Sequence, residues 1–598
     1  MKKTFTKLAG GIMAASMILG TVGVAAPQVF ADDTATTPDY SITVNNAVEG
    51  DKGTHTYTAY QIFKAQEVVT GQDGKATKEL KEITWGSAIS ASADGTTANF
   101  DAATKAALVK LFNGIEVPNV EGNAVTEDNC TKATVIANAL SKLEDDSTKL
   151  KAFSVIMEGV VDKTTGVEAG TDNKAEVSDP GYYLVVDTNT TTGDKKDTYT
   201  SEFMLKVAGP TEINTKGDLP KSNKTVQDDE DHGFGDDSID NKVKDTADYD
   251  IGDKVPFTLY GTVASNYDQY NVAYKYAFVD QFCAGLDNPT DIVVKATTKT
   301  GATVELKNAT DASVTDKTTG YVIGAVTKIE NPTDAYVKEW KVSFADLNKV
   351  QDKDGNAVTG ITEIRVTYNS VLNKNAQIGT TAGNPNKSHI EYSNNPNNDE
   401  EGKSEDTHVK VFTYEYDVDK TDANNKPLEG AGFTLYKVSG NTETPVYVDA
   451  DGKVLNAEEI AALGANASAE VKPASGNQFK YIGLDAGDYK LVETTVPDGY
   501  NKAKDITFTV KATQEGTDND TAGTDECVVE KVKVGDKADD TAVGGENGIF
   551  NSTVINNSGA ELPSTGGIGT TIFYIVGAAA AVTAIVLLTT RRRANKND

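Results

Sequence analysis

Near its carboxyl end the chain reads Leu562-Pro563-Ser564-Thr565-Gly566, then an apolar stretch from Ile568 to Thr590, then Arg591, Arg592 and Arg593. That order has a physical consequence. An apolar segment of about twenty residues can span a bilayer, and the arginines keep its far end on the cytoplasmic side, so export halts with the pentapeptide just outside the membrane, within reach of an enzyme. Elsewhere the usual reactive side chains are sparse. The four histidines, His55, His232, His389 and His408, form no metal-binding or nucleophile–base spacing, and no Gly-rich phosphate loop is present. Cys130, Cys283 and Cys527 lie too far apart for a disulfide framework or a thiolate metal motif. The acidic run from Asp228 to Asp237 departs from the spacing of an EF-hand and reads as a solvated loop. The expectation is therefore no metal, no cofactor and no conventional enzyme site.

The elements that must carry this ending begin with a second address. Lys2, Lys3 and Lys7 precede an apolar run from Leu8 to about Ala26, and Val29-Phe30-Ala31 offers small residues for a signal-peptidase cut, which gives a signal peptide over 1–31. An uncleaved anchor fits less well, because Gly and Ser interrupt the run and Pro27 follows it. At 598 residues the chain is too long for one core and calls for several domains. Its 89 acidic against 57 basic residues, net −32, repel nucleic acid and anionic membrane and exclude nucleic acid as a partner.

The exported part separates by pattern into three regions. In 32–216, strand-like segments from Tyr57 to Phe63 and from Tyr182 to Val186 flank Ala-rich stretches, Asp101 to Phe112 and Val135 to Leu143, with apolar residues three and four apart. This predicts an α+β domain, a sheet with short amphipathic helices. In 217–413 and 414–560, short alternating runs of Val, Thr and Tyr punctuated by Gly, Asn and Pro predict two antiparallel β-sandwiches of Ig-like type. The fold class is mainly β, and 561–598 forms the terminal signal.

Several of these segments resemble one family. The ending is similar to the LPxTG cell-wall sorting signal, which implies that a sortase cleaves between Thr565 and Gly566 and transfers the threonyl group to an amine. The segment from Tyr489 to Tyr500, with Glu493, Pro497 and Gly499, resembles the E-box of Gram-positive pilins, and that from Asp419 to Phe433 resembles the opening of a Cna-B-type domain. The resemblance implies a self-made amide crosslink from Lys420 on the first strand to Asn556 on the last, with Glu493 as its acid. Physical chemistry explains such a trio: burial favours the neutral, nucleophilic amine and a protonated carboxyl that can polarise the amide. A buried ion pair without a bond is the alternative for the same residues.

The region 217–413 is similar to the isopeptide-forming fimbrial domain. By that resemblance Lys224 is the amine, Asp280 the acid and Asn394 the amide, with Asn386 and Asn395 as rivals for the last. The segment from Thr211 to Lys216 resembles a degraded pilin motif, which implies that the Lys216 amine, or alternatively Lys221, accepts the next subunit. Taken together, the resemblance implies a sortase-assembled backbone pilin: a structural subunit joined to copies of itself and to minor pilins by a class C sortase. It would be attached to peptidoglycan and displayed as an adhesion-supporting fimbria on a Gram-positive cell. A monomeric LPxTG-anchored adhesin and a tip or basal minor pilin remain alternatives.

Overall fold

The computed structural model describes residues 40–45, 48, 50–70, 77–118, 120–143, 148–187, 197–200, 202–215, 218–228, 245–332, 335–379, 383–396, 399–510, 513–515, 526–528, 533–534 and 548–559. These fall into two compact units, one up to Thr413 together with 512–529, the other from Tyr414 with the remaining carboxyl-terminal residues. Among the described residues no helix is long and apolar enough to cross a membrane. Both apolar stretches expected to meet the membrane lie outside them.

The first unit opens with β1 (Tyr40–Asn45), β2 (Tyr57–Thr70), β3 (Thr77–Trp85), α1 (Ala102–Leu111), α2 (Ala133–Leu140) and α3 (Thr148–Val160). It continues with β4 (Val167–Glu168), β5 (Lys174–Val177), β6 (Gly181–Asp187), β7 (Glu202–Val207) and β8 (Thr211–Asn214). The central sheet runs β3-β2-β6-β7, with β4 added on β2, and a small sheet runs β5-β1-β8. Tyr60, Ile62, Tyr182 and Leu184 pack against helix residues Leu108, Ile136, Phe153 and Met157. From the other face, Tyr57, Ala59, Tyr183 and Val185 meet Ile42 and Val44 of the small sheet. Being covered on both faces, β6 is buried along its whole length, as a near-continuous apolar run should be. Asp101 caps α1 by accepting the Thr104 amide at 2.7 Å. The third helix was not expected from the sequence, although Leu150, Phe153 and Met157 are buried at helical spacing.

A sandwich follows in the same unit: β9 (Ser222–Val226), β10 (Thr246–Asp248), β11 (Lys254–Thr262), β12 (Tyr276–Phe282), β13 (Thr290–Thr298), β14 (Thr303–Glu305) and β15 (Tyr321–Ile323). Then come β16 (Thr327–Lys328), β17 (Lys338–Phe344), β18 (Ile361–Val371), β19 (Asn384–Ser393), β20 (Glu401–Lys403) and β21 (Thr407–Phe412). One sheet runs β10-β21-β19-β12-β17-β15, with β16 on β17 and β20 on β19; the other runs β14-β13-β18-β11-β9. Between them lies a core that also takes in Val48 and Tyr199 from the preceding module. The junction near residue 216 is thus a packed interface: Lys52 pairs with Asp197 and Glu405, and the Thr200 amide donates to the Asn394 carbonyl at 3.0 Å.

The second unit contains β22 (Tyr414–Asp422), β23 (Gly432–Ser439), β24 (Thr442–Pro445), α4 (Ala457–Leu463), β25 (Glu470–Val471), β26 (Gln478–Leu484), β27 (Gly487–Thr495) and β28 (Ile506–Val510). A hairpin of β29 (Thr513–Glu515) and β30 (Glu526–Val528), grouped with the first unit, intervenes before β31 (Lys533–Val534) and β32 (Ile549–Asn556). Its sheets run β26-β22-β32 and β24-β23-β27-β28-β31, with β25 on β23. The first and last strands, β22 and β32, lie side by side and parallel. Tyr416, Tyr481, Tyr489, Phe433 and Phe508 fill the space between the sheets.

Candidate crosslink sites

The strand period of two decides which side chains of the second unit turn inward. On β22 the inward set is Tyr416, Val418 and Lys420; on β27 it is Tyr489, Leu491 and Glu493. Each row therefore ends in one ionisable residue among apolar neighbours. Parallel pairing sets Lys420 beside Val554 and Asp422 beside Asn556, so Asn556 is the next inward position on β32 after Val554. Lys420, Glu493 and Asn556 are 0%, 2% and 1% exposed.

Within this pocket the Lys420 ammonium group donates to the carbonyls of Thr421 at 3.0 Å and Val554 at 3.2 Å. The Asn556 Nδ2 donates to Glu493 Oε1 at 2.8 Å, and Glu493 Oε2 accepts the Ala503 amide at 2.7 Å. Asn556 Oδ1 has no partner among the described residues. Burial lowers the Lys420 pKa from its ordinary value, and the charges of Glu493 and Asp422 oppose that only in part. The arrangement brings an amine whose pKa burial lowers, a carboxyl and a carboxamide to adjoining positions in one apolar pocket.

The middle module builds a comparable cluster across its two sheets. Lys224, on β9, pairs in register with Leu259 of one sheet; Asp280, on β12, lies between Trp340 and Ser388 of the other. Both are buried, and the Lys224 ammonium contacts Asp280 Oδ2 directly. The Tyr368 hydroxyl of β18 lies 2.9 Å from Lys224 Nζ, 2.9 Å from Asp280 Oδ2 and 2.7 Å from Asn386 Nδ2. The rings of Phe257 and Tyr368 sit 5.2 and 5.3 Å from Lys224 Nζ. Desolvation lowers the Lys224 pKa, against the pull of Asp280.

The expected amide requires a correction. Asn394 is buried but donates to Thr198 Oγ1 at 3.0 Å, at the junction with the first module and away from Lys224. Asn386 is the carboxamide at the cluster. Strand parity alone could not separate them, because both even-numbered positions turn inward. Register does: Asp280 opposes Ser388 and Phe282 opposes Asn386, so Asn386 is the diagonal neighbour of Asp280, while Asn394 comes after the strand has ended. Asn395 also lies at that far end. Tyr368 was missed altogether; its inward parity with Ile364 and Val366 was readable, but nothing distinguishes it in sequence from the chain's other inward tyrosines.

Lys216 lies outside the described residues, as do Leu562, Pro563, Ser564, Thr565 and Gly566. Lys221 is exposed and immediately precedes the strand that carries Lys224, its backbone tied to Thr262 by bonds of 2.7 and 2.8 Å. Among the described residues no cluster of His, Cys, Asp and Glu could hold a metal ion.

Residues 415–525 match the family model of the SpaA prealbumin-like fold domain, and residues 555–597 match that of the LPXTG cell wall anchor motif. The chain is a cell-wall-anchored surface protein. Over 246 residues the anchored protein is 28% identical to the trypsin-resistant surface T6 protein of Streptococcus pyogenes serotype M6, a match covering 36% of this chain and 45% of that relative. The chain thus spans less than half the length of the curated relative it matches. Among solved structures it is similar to the T6 backbone pilin of S. pyogenes, with a TM-score of 0.46, 16% identity and coverage of 88% of this chain and 100% of the other. It is also similar to the major pilin SpaD of Corynebacterium diphtheriae, with a TM-score of 0.40, 15% identity and coverage of 89% and 100%.

Proposed function

We propose that this anchored protein is the repeating backbone subunit of a covalent cell-surface fibre that supports adhesion. A class C sortase would cleave after Thr565, and the threonyl carbonyl would pass to a lysine amine of another copy or, for the last subunit, to peptidoglycan. The observation that carries the reading is the parallel pairing of β22 with β32, which gathers Lys420, Glu493 and Asn556 in one buried pocket just before the anchor motif.

In that pocket the Lys420 amine would attack the Asn556 carboxamide, with Glu493 hydrogen-bonded to the group that must leave as ammonia. Lys224, Asp280 and Asn386 would do the same in the middle module. The mechanical consequence suits a fibre. Force entering at Tyr414 would travel along β22 to Lys420, cross the new amide and leave through Asn556, so the residues between would carry none of it. Without the bond, the β22–β32 ladder would bear the load through hydrogen bonds worth about 1 kcal/mol each net. The exposed Lys221 supports an amine near the junction as the acceptor, with Lys216 as the other candidate.

The test is a blot of boiled, denatured cell-wall digest from cells making the native chain, Lys216→Ala or Lys221→Ala. A high-mass ladder in the native sample that collapses to monomer in one variant identifies the linking lysine. A native chain that runs only as wall-bound monomer defeats the fibre reading and leaves an anchored adhesin.

A further inference from the structure

We propose that the Tyr368 hydroxyl is a catalytic proton relay in the middle module, passing the proton released by the Lys224 amine to the departing nitrogen of Asn386. This rests on the reading that Lys224 and Asn386 condense. A phenol has one hydrogen to donate and two lone pairs that accept, and here three partners meet it: Lys224 Nζ at 2.9 Å, Asp280 Oδ2 at 2.9 Å and Asn386 Nδ2 at 2.7 Å. All four residues are buried, so no bulk water is at hand to move protons among them.

The condensation forms a bond from Lys224 Nζ to Asn386 Cγ, breaks the bond from Cγ to Nδ2 and releases ammonia, with nothing oxidised or reduced. Nζ must lose a proton and Nδ2 must gain one, because an amide anion does not leave. Asp280 Oδ2 touches the amine that sheds the proton, whereas Asp280 makes no hydrogen bond to Asn386; among the described residues the tyrosine alone touches both the acid and the leaving nitrogen. In the resting pocket the phenol donates to Asp280 Oδ2 and accepts from Lys224 Nζ and Asn386 Nδ2. Once attack on Cγ makes Nδ2 tetrahedral and basic, Asp280 takes the proton from Nζ and hands it to the phenol oxygen while the phenol turns its own hydrogen to Nδ2. Burial raises the Tyr368 pKa well above its ordinary value, which keeps that hydrogen in place until it is needed. The last module has no use for such a relay, since Glu493 already contacts Asn556 Nδ2.

Tyr368→Phe keeps the ring that packs on Phe257 and Trp340 and removes only the hydroxyl. Ammonia loss is followed by mass spectrometry of peptides from the full chain, sampled through a short induction and at several pH values, for native, Tyr368→Phe and Trp340→Phe. The expected result is that Tyr368→Phe slows formation of the Lys224–Asn386 amide by at least about 10²-fold and alters its pH dependence, as loss of a general acid should. The amide of the last module should form at the native rate in the same molecules, and Trp340→Phe should stay near native in both. Native-rate condensation in Tyr368→Phe, or equal slowing in Trp340→Phe, overturns the relay. A solvent-isotope proton inventory on the native chain needs no variant: a relay moving two protons gives a curved plot, and a linear plot overturns it. Absence of ammonia loss from the native middle module would show instead that the underlying condensation does not occur.

Discussion

The Lys224 and Lys420 pockets contain the same three kinds of group and distribute their contacts differently. In the middle module the acid touches the amine, and a tyrosine links it to the amide. In the last module the acid touches the amide directly, and the amine rests on two backbone carbonyls. The cause is topological. Lys224 reaches across from the opposing sheet to meet Asp280, whereas Lys420 and Asn556 belong to adjacent strands, so Glu493 from the facing sheet is free to meet the amide. A lysine, an acid and an asparagine are thus gathered with the lysine facing the other two across the sandwich in one module and beside the asparagine on one sheet in the other, and in the first a tyrosine joins acid to amide.

The largest expected effect is covalent. If both pockets react, the chain should weigh two ammonias less than its exported sequence requires. Lys224→Ala and Lys420→Ala should each restore one, and the double variant both; intact-mass measurement decides, and a change of one module's mass by the other's lysine would break the independence of the pockets.

A difference in stability should follow. Asp280→Ala strands the amine of Lys224 and should cost about 3–5 kcal/mol, as for a buried ion pair losing one partner. Glu493→Ala leaves the Asn556 Nδ2 and Ala503 amides unpaired and should cost about 1–3 kcal/mol. Denaturant titrations compare them, for the middle module in an Asn386→Ala background that keeps the Lys224–Asp280 pair and for the last in a Lys420→Ala background that keeps Asn556 beside Glu493, so that the crosslink does not enter. Equal costs would remove the distinction drawn between the two acids.

The pH dependence sharpens the contrast between reacted and unreacted pockets. Burial depresses the Lys420 pKa in the folded chain, so the unfolded state binds more protons and the penalty is greatest at low pH. That penalty should shrink as pH rises and vanish near the ordinary lysine value of about 10.4. Stability of the last module in Glu493→Gln, which lacks the acid, should therefore rise from neutral toward alkaline pH. If the Lys420 amine has become an amide, the native module should lack this component; the same slope in both would mean that no bond forms.

The smallest effect separates the two asparagines. Asn386→Ala should abolish the middle crosslink. Asn394→Ala should leave it intact and cost about 1 kcal/mol through loss of the bond to Thr198. The opposite pattern would restore Asn394 as the reacting amide. Force measurements give a second reading of the same choice, since closure at Asn386 leaves the segment from Lys387 to Thr413 extensible by at most about 3.6 Å per residue.

Much of this was legible in the chain. Alternation alone turns Lys420 and Glu493 inward among Tyr416, Val418, Tyr489 and Leu491, because a strand's side-chain period is set by its backbone and needs no partner to be read. The helices α1 and α2 announce themselves by apolar spacing, and α3 carries the same signal at Leu150, Phe153 and Met157. What alternation cannot supply is register. Asn386 and Asn394 share a face, and only the pairing of β19 with β12 says which of them lies near Asp280.

By itself, then, the sequence determined the mainly β class, the inward positions of the strands and the anchoring signal, all of which depend on local pattern or on contiguous motifs. Tertiary structure alone decided which asparagine lies at the Lys224–Asp280 cluster, the position of Tyr368 between Asp280 and Asn386, and the packing of the first module onto the second through Val48 and Tyr199. These depend on contacts between residues far apart in the chain, and the free energy that selects among such contacts is spread over whole sheets rather than written at any one position.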